Sequence, residues 1–336
     1  MEKRRGSGKL AAEPEGDSQM ADNEHFVRGD VRGFLDMLEQ LGGKGVEEVG
    51  AVEGRQQMRA MKAIAEADAH ALPVMRDLTC PGPANDIPLR LYDSRETRGP
   101  SPVVVFIHGG GFVIGDIEVY DALCTEIARK LDLPVISVEY RLAPEHPFPA
   151  APDDCEAAAR WIASSPTELG LEVTGLVITG DSAGGNLTIV TTNQLAAEPA
   201  DVPVLVQAPI YPVASDVSKH RSFADFAEGY LLTGAAMDWF GVQYAADPDS
   251  PRNMPMIGDC SNTPPTVICT AGLDPLRDSG REYAAHLIMQ GTEVSYFEFP
   301  GIIHGFVTLR KAIPSGQKDL DAFLGAIRVK LDRIAA

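Results

Sequence analysis

Apolar positions near the start of the chain recur every three or four residues, as they do on one face of a helix. From residue 26 to about residue 71 this spacing predicts two amphipathic helices, with a break at Leu41-Gly42-Gly43. Further along, apolar and polar residues alternate over 74–80 and 87–92, which predicts two strands. Turn-forming residues fill 81–86, so we expect a hairpin at the edge of a sheet.

The middle and the end of the chain alternate short β-branched runs with helical stretches. The runs are almost continuously apolar, as burial on both faces of a parallel sheet requires. Such alternation is typical of right-handed βαβ units, so with the hairpin we predict an α/β fold whose mostly parallel, eight-stranded sheet carries helices on both faces. The remaining predicted strands are 102–107, 134–139, 176–179, 204–208, 266–270 and 294–299, and the predicted helices are 118–131, 151–163, 183–197, 277–290 and 316–334.

Residues 211–263 interrupt this alternation with aromatic-rich, helical sequence. The stretch is too long and too apolar for a simple loop. We expect it to pack with the two N-terminal helices as a helical cap over the sheet. The predicted organisation is a disordered tail (1–24), the N-terminal part of the cap (25–71), the first part of the core (72–212), the cap insertion (213–262) and the second part of the core (263–336).

The composition excludes several function classes. Of the 336 residues, 44% are hydrophobic and 23% are charged, which is typical of a globular protein and excludes disorder throughout. With 29 Lys+Arg against 48 Asp+Glu the formal net charge is −19, which repels phosphate backbones and anionic lipid. No apolar run approaches the roughly 18 residues of a membrane span. We therefore expect neither a nucleic-acid partner nor a membrane partner.

The cysteines and the first residues bear on metal binding and on location. The five cysteines form no Cys-x-x-Cys pair and have no histidine at zinc spacing, so we expect reduced, mostly buried thiols and no metal site. Residues 1–24 contain no apolar stretch of the kind found in a secretory signal. We expect a cytoplasmic protein that uses no cofactor.

The sequence Gly180-Asp181-Ser182-Ala183-Gly184-Gly185 lies where a predicted strand meets a predicted helix. A serine on so tight a turn has a strained backbone that exposes its hydroxyl, and the glycines remove side chains that would clash. The helix also directs its positive end at this position. We interpret Ser182 as a nucleophile; the alternative is a serine that only caps the helix. Asp181 either orients the neighbouring loops or caps the same helix.

The glycine-rich sequence His108-Gly109-Gly110-Gly111-Phe112 directly follows the strand predicted at 102–107. Three glycines at the carboxyl end of a strand free their backbone N–H groups to converge on an anion. Neither the Gly-x-Gly-x-x-Gly pattern nor the Gly-Lys-Ser/Thr pattern of phosphate loops fits here, and the net charge is negative. We therefore favour an oxyanion over a phosphate, with a purely structural glycine turn as the alternative.

A serine nucleophile needs a base and an acid that orients the base. Among the seven histidines, only His304 follows a late strand on a loop with glycines on both sides, where α/β sheets carry catalytic groups. Asp274 also lies beyond the carboxyl end of a strand, whereas its rival Asp278 lies near the start of a helix and suits a helix-end charge. The order Ser182, Asp274, His304 is that of the α/β-hydrolase triad.

Three further motifs follow the same order along the chain, namely Tyr140-Arg141-Leu142-Ala143-Pro144-Glu145, Asp274-Pro275-Leu276 and His304-Gly305-Phe306. Together with the two glycine motifs they span roughly 72–336 and resemble the hormone-sensitive lipase family, in its bacterial family IV esterase branch. The resemblance implies an α/β-hydrolase fold with a helical cap. It also implies the hydrolysis of carboxylic esters through a covalent acyl-enzyme, with a small-molecule ester as the partner.

The resemblance further implies a role for individual residues. Ser182 corresponds to the nucleophile, His304 to the base and Asp274 to the orienting acid. The backbone amides of Gly110, Gly111 and Ala183 correspond to the oxyanion hole. In the family, dimers through the last strand and helix are frequent, so a homodimer is one expected assembly.

A helical lid implies a bounded pocket, so we expect a carboxylesterase that prefers short- to medium-chain esters. A lipase, an amidase, an arylformamidase or a lactonase would use the same triad, and the sequence leaves these open. A small-molecule receptor of the same family lacks the histidine, whereas His304 is present here. The candidate pocket residues are Phe112, Asp181, Tyr211, Phe226 and Tyr230, with Phe223 and Trp239 as further aromatic candidates.

Overall fold

The computed structural model describes residues 25–335, so the tail predicted at 1–24 lies outside the described residues. The strands are β1 (Val74–Cys80), β2 (Ile87–Asp93), β3 (Ser101–Ile107), β4 (Val135–Val138), β5 (Val173–Asp181), β6 (Val204–Ile210), β7 (Thr266–Leu273) and β8 (Val294–Ile303). They form one sheet in the order β1-β2-β4-β3-β5-β6-β7-β8. The β1–β2 and β2–β4 pairs are antiparallel and the others are parallel, which confirms the predicted fold class and the hairpin at the sheet edge.

Helices fill the connections at the positions that the periodicity predicts. Two helices precede the sheet, and two short ones lie between β6 and β7, where the alternation is interrupted. The α-helices of the described chain are α1 (Gly29–Leu41), α2 (Val46–Ala65), α3 (Ile117–Leu131), α4 (Ala150–Ala163), α5 (Ala183–Ala197), α6 (Arg221–Phe226), α7 (Gly234–Tyr244), α8 (Arg277–Met289) and α9 (Ser315–Ala335).

The central strand β3 shows how the two faces of the sheet are covered. Val103, Val105 and Ile107 belong to the apolar cluster that contains buried residues of α4 and α5. Val104 and Phe106 belong to the cluster on the opposite face, with residues of α3 and α9. Because successive side chains of a strand point to opposite faces, a strand covered on both sides must be apolar throughout. The sheet is thus a rigid base for the loops at its carboxyl ends.

The N-terminal helices pack on the carboxyl-end side of the molecule. Helix α1 ends at Gly42, whose φ of +59° is accessible to glycine at little cost. Helix α2 is interrupted at Gly50 (φ 82°, ψ 176°) and packs against α7. Its end is tied to the chain beyond β8 by a buried ion pair in which Arg310 Nε donates to Glu66 Oε1 at 2.8 Å. Helix α2 is therefore held by both the insertion and the core.

Burial also accounts for the cysteines. All five are buried and free of disulfides, as the sequence predicts. Burial raises the pKa of the Cys80 thiol to about 12, so this group stays protonated and inert near neutral pH. Among the helices of residues 25–335, none combines the length and the apolar character that crossing a bilayer requires.

Candidate active site

Ser182 lies on the sharp turn between β5 and α5. Its dihedral angles are φ 57° and ψ −118°, a strained conformation for a residue with a side chain. The turn brings backbone segments so close that a Cβ atom at Gly180 would lie 2.6 Å from the carbonyl oxygen of Gly184. A Cβ at Gly184 would lie 2.5 Å from the carbonyl oxygen of His108. Both glycines are therefore required for the turn that presents the serine hydroxyl.

The structure brings Ser182, His304 and Asp274 together. The Nε2 atom of His304 lies 2.9 Å from Ser182 Oγ, and its Nδ1 atom lies 2.8 Å from Asp274 Oδ2. The carboxylate of Asp274 is fully buried, and its other oxygen accepts the backbone N–H of Leu276 at 2.8 Å. These contacts hold Nδ1 of the imidazole on a carboxylate and direct Nε2 at the serine hydroxyl. This is the arrangement of a nucleophile and its base.

The topology explains why three residues so distant in sequence meet. Ser182 follows β5, Asp274 follows β7 and His304 follows β8, and these parallel strands end at the same edge of the sheet. The rival carboxylate, Asp278, is used elsewhere. It accepts the backbone N–H of Ser222 at 2.9 Å and pairs with Arg277 and Arg281 in the first turns of α8.

The loop after β3 carries three glycines with positive φ, Gly110 at +113°, Gly111 at +60° and Gly115 at +96°. The carbonyl oxygen of Gly110 accepts the N–H groups of Val113 (3.1 Å) and Ile114 (2.9 Å), which closes a tight turn. Within residues 25–335, no acceptor pairs with the backbone N–H groups of Gly110, Gly111 or Ala183. Gly110, Gly111 and Ala183 all line cavities that also contain Ser182. Three unpaired donors beside the Ser182 hydroxyl are the arrangement that binding of an oxyanion needs.

Asp181 is buried directly behind this loop. Its carboxylate accepts the Gly109 N–H at 2.8 Å and the hydroxyls of Tyr120 (3.1 Å) and Tyr211 (3.3 Å). Burial raises the pKa of Asp181, and attraction to His304 and the Gly109 N–H act in the opposite direction. Its hydrogen bonds thus go to the glycine loop rather than to the N-terminal amides of α5, so of the two roles considered from sequence the geometry favours orientation of the loop.

Two cavities meet at Ser182. The smaller one, of about 340 Å³, extends between Phe112, the segment after β6 and helix α7. The larger one, of about 1060 Å³, lies between α1, α2 and the 229–240 segment and includes His304 and Asp181. The residues common to both are Gly111, Ser182, Leu232 and Phe240. A molecule bound at Ser182 therefore has two separate directions in which to extend.

The structure distributes the predicted pocket residues differently. Phe112 and Phe223 line the smaller cavity, whereas Tyr211, Phe226 and Tyr230 line neither one. Tyr211 is fully buried against the imidazole of His304, with ring centroids 4.4 Å apart, and acts through contacts rather than as a wall. Phe226 is buried because it packs edge-on against Tyr230 (5.3 Å) and beneath the guanidinium of Arg277 (5.0 Å). Trp239 likewise packs on the core and lines neither of these two cavities.

Other residues of the insertion form the walls. Helix α7 lines the smaller cavity with Met237, Asp238, Phe240, Gly241 and Tyr244. These positions recur at the three- and four-residue spacing of one helix face. The spacing was readable in the sequence, but it does not tell which of the two aromatic-rich faces looks inward.

Comparisons with known proteins identify the family and several relatives of this chain. A family model described as alpha/beta hydrolase fold matches residues 104–308. The carboxylic ester hydrolase LipN of Mycobacterium tuberculosis is 38% identical over 295 residues, which cover 84% of this chain and 77% of that protein. An ethyl acetate hydrolase of Pseudomonas putida is 34% identical and covers 84% of this chain and 91% of its own length.

Solved structures give the same picture. An ester hydrolase from the metagenome of Lake Arreo, complexed with a derivative of bipyridine phosphonate, superposes with a TM-score of 0.86 at 36% identity, covering 91% of this chain and 99% of that one. A thermostable esterase from Pseudomonas putida has a TM-score of 0.85 at 27% identity, covering 91% and 98%.

Proposed function

This chain belongs to the α/β hydrolase fold family, of the hormone-sensitive lipase type that its motifs predict, and we propose that it is a carboxylesterase for short- to medium-chain esters. The observation that carries the proposal is the hydrogen-bonded series Ser182, His304, Asp274 at the junction of two cavities. The similarity to proteins named as ester hydrolases supports the same reaction.

In the first half of the reaction, Ser182 Oγ attacks the ester carbonyl carbon while His304 Nε2 takes the hydroxyl proton. The carbonyl oxygen becomes an oxyanion. As the intermediate collapses, the bond to the leaving alcohol breaks, His304 gives its proton to the alkoxide, and the acyl group stays on Ser182. In the second half, water attacks the acyl carbon while His304 Nε2 takes a water proton. The bond between the acyl carbon and Ser182 Oγ then breaks, His304 returns the proton to Oγ, and the carboxylic acid leaves.

Three parts of the site stabilise charge during these steps. The N–H groups of Gly110, Gly111 and Ala183 bind the oxyanion, and each such donor typically contributes about 2.7–4 kcal/mol. Asp274, buried and bonded to Nδ1, holds the imidazole in place and stabilises the imidazolium. The buried carboxylate of Asp181 adds a second negative charge near the same ring.

The cavities support the proposed substrate size. The smaller cavity, at about 340 Å³, is closed by Phe112, Phe240 and Tyr244 and suits a short acyl or alcohol group. The larger one, at about 1060 Å³, is bordered by the N-terminal helices and has room for the longer half of the substrate. A medium-chain ester of a small alcohol fits this asymmetry.

The assignment is tested by labelling with a fluorophosphonate. We expect the probe to form one adduct, on Ser182, and the Ser182→Ala variant to remain unlabelled while folding normally by circular dichroism. A series of p-nitrophenyl esters from acetate to palmitate, with matched anilides and lactones, then measures substrate class. An adduct on another residue contradicts the nucleophile; anilide turnover above ester turnover contradicts the esterase.

A further inference from the structure

The motif from Tyr140 to Glu145 lies behind the glycine loop and fixes its carbonyl groups. The Tyr140 hydroxyl donates to the His108 carbonyl oxygen at 2.8 Å, and its ring stacks on that imidazole with centroids 4.3 Å apart. The Ala143 N–H donates to the Phe112 carbonyl oxygen at 3.0 Å. Both ends of the segment that carries Gly110 and Gly111 are therefore held from outside the active site.

Helix α2 of the N-terminal region adds a third attachment through Arg55. The Nε atom of this guanidinium donates to the Val113 carbonyl oxygen at 2.9 Å, and Nη2 donates to the Ala143 carbonyl oxygen at 3.0 Å. The same group forms a two-pronged pair with Glu145, at 2.8 and 2.6 Å. One side chain thus joins the glycine loop, the motif behind it and the cap.

Arg55 contacts the loop at the point that sets its shape. Val113 and Ile114 both donate their N–H groups to the Gly110 carbonyl oxygen, so the Val113 peptide is part of the turn that orients the Gly110 and Gly111 amides. The helix also approaches this turn closely, because a Cβ atom at Gly54 would lie 3.5 Å from Ile114 Cγ2. The Arg55 side chain is only 23% exposed, and a planar, bidentate guanidinium holds direction as well as distance.

We propose that Arg55 is a positioning residue that fixes the oxyanion-binding amides of Gly110 and Gly111 from the N-terminal helices. The inference rests on the proposed function. It makes the N-terminal part of the cap a component of transition-state binding and not only a wall of the substrate cavity. The oxyanion exists only in the transition state and the adjacent intermediate, so Arg55 acts on kcat more than on KM.

Arg59 provides a matched control on the same face of α2. It lies one helical turn further along and pairs with Asp116 at 2.6 Å, so it also fastens the cap to the core. Its partner caps the start of α3 and does not belong to the turn closed by Gly110. Loss of Arg59 therefore removes a cap attachment without touching the carbonyl groups that Arg55 holds.

The experiment compares wild type, Arg55→Met, Arg55→Lys, Glu145→Gln and Arg59→Met for kcat and KM on p-nitrophenyl butyrate. It also measures the inhibition constant of butylboronic acid, whose boron accepts Ser182 Oγ to give a tetrahedral anion while the serine proton passes to His304. For Arg55→Met we expect kcat to fall by about 10–100-fold and boronate binding to weaken in proportion, with KM changed less than about twofold. The Glu145→Gln variant keeps both hydrogen bonds from Arg55 to backbone carbonyl groups, whereas Arg55→Lys keeps one at most. The fall in kcat should therefore be smaller in Glu145→Gln than in Arg55→Lys.

The outcomes separate the inference from the function on which it rests. Equal losses in Arg55→Met and Arg59→Met, or a loss confined to KM, would overturn the inference, because cap docking alone would then account for them. Failure of wild type to hydrolyse any ester overturns the proposed function, whereas boronate binding still tests Arg55 without turnover. If Arg55→Met does not fold, the comparison of kcat between Arg55→Lys and Glu145→Gln takes its place. A kcat of Glu145→Gln that is no higher than that of Arg55→Lys would overturn the inference.

Discussion

The ring of Tyr211 lies against the imidazole of His304, with 4.4 Å between the centroids, and its hydroxyl reaches the buried carboxylate of Asp181. Asp181 also accepts the Gly109 N–H, so this carboxylate connects the glycine loop to the histidine that contacts Ser182. The buried carboxyl group of Asp181 is therefore placed to influence both His304, the proposed base, and the loop proposed to bind the oxyanion.

Replacing this charge tests its contribution. In Asp181→Asn the amide oxygen still accepts the Gly109 N–H, but the negative charge near the imidazolium is lost, and we expect kcat to fall about tenfold, or roughly 1.4 kcal/mol. The assay is run over a range of pH, because burial raises the pKa of Asp181 and the effect of its charge grows as the carboxyl group ionises. The control, Tyr211→Phe, keeps the charge and the ring and should lose less than about threefold. Full activity of the asparagine variant would show that the charge has no part in the reaction.

A methyl group on the glycine loop should block the proposed oxyanion site. A Cβ atom at Gly111 would lie 2.6 Å from Phe240 Cδ2, so Gly111→Ala must displace either the ring or the loop. We expect kcat/KM to fall by about 100-fold, the loss seen when an oxyanion donor is removed. Gly170→Ala is the control, since its φ is also positive (+70°) but nothing lies within 4 Å. If kcat/KM partly recovers when Gly111→Ala is combined with Phe240→Ala, the clash with the ring is the cause. A similar fall in kcat/KM for Gly170→Ala would implicate backbone strain instead.

The ion pair between Arg55 and Glu145 should make stability depend on acid pH. A hydrogen bond from the Arg55 guanidinium lowers the pKa of Glu145 to about 2. A lowered carboxylate pKa stabilises the folded state above the ordinary value of about 4.3, and this contribution disappears as the pH falls towards 2. Urea unfolding of wild type and Glu145→Gln should therefore differ at pH 6 and converge by about pH 2. A difference that stays constant over this range would exclude the ion pair as its source.

Phe240 separates the two cavities, so its size should set the acyl chain length. Phe240 lines both cavities, so its truncation in Phe240→Ala joins them into one larger space. We expect the maximum of kcat/KM to shift towards longer p-nitrophenyl esters. Trp239→Phe changes the adjacent residue, which packs on the core instead, and should leave the chain-length profile in place. If Phe240→Ala and wild type show the same dependence of kcat/KM on acyl chain length, the acyl chain does not contact Phe240.

Much of this molecule was readable from local sequence pattern. The runs of apolar residues gave the strands to within a few residues because burial on both sheet faces leaves little choice of residue type. The start of β5 was missed, since Val173 and Thr174 precede Gly175, which weakens a strand pattern. The residues that meet at Ser182 were also found by pattern, because each lies beyond a strand end that topology brings to one edge.

The cavity walls were not readable in the same way. Tyr211 and Phe226 are as aromatic as Phe240, yet packing against His304 and Arg277 buries the first two and leaves Phe240 on the cavity. Which side of an apolar helix faces inward depends on contacts between distant segments. The part played by Arg55 was invisible for the same reason, since its partners lie 58 and 90 positions away.

Two separate stretches of chain line the cavities at Ser182, namely the N-terminal helices and the insertion between β6 and β7. The insertion lines the smaller cavity with Met237, Phe240 and Tyr244. Helix α2 instead forms a hydrogen bond to the glycine loop through Arg55. Replacing the insertion with that of a relative should consequently change which esters are hydrolysed and leave kcat for an accepted ester largely unchanged. Exchange of the N-terminal helices should not be tolerated so freely, which directs evolution and engineering of selectivity towards the insertion.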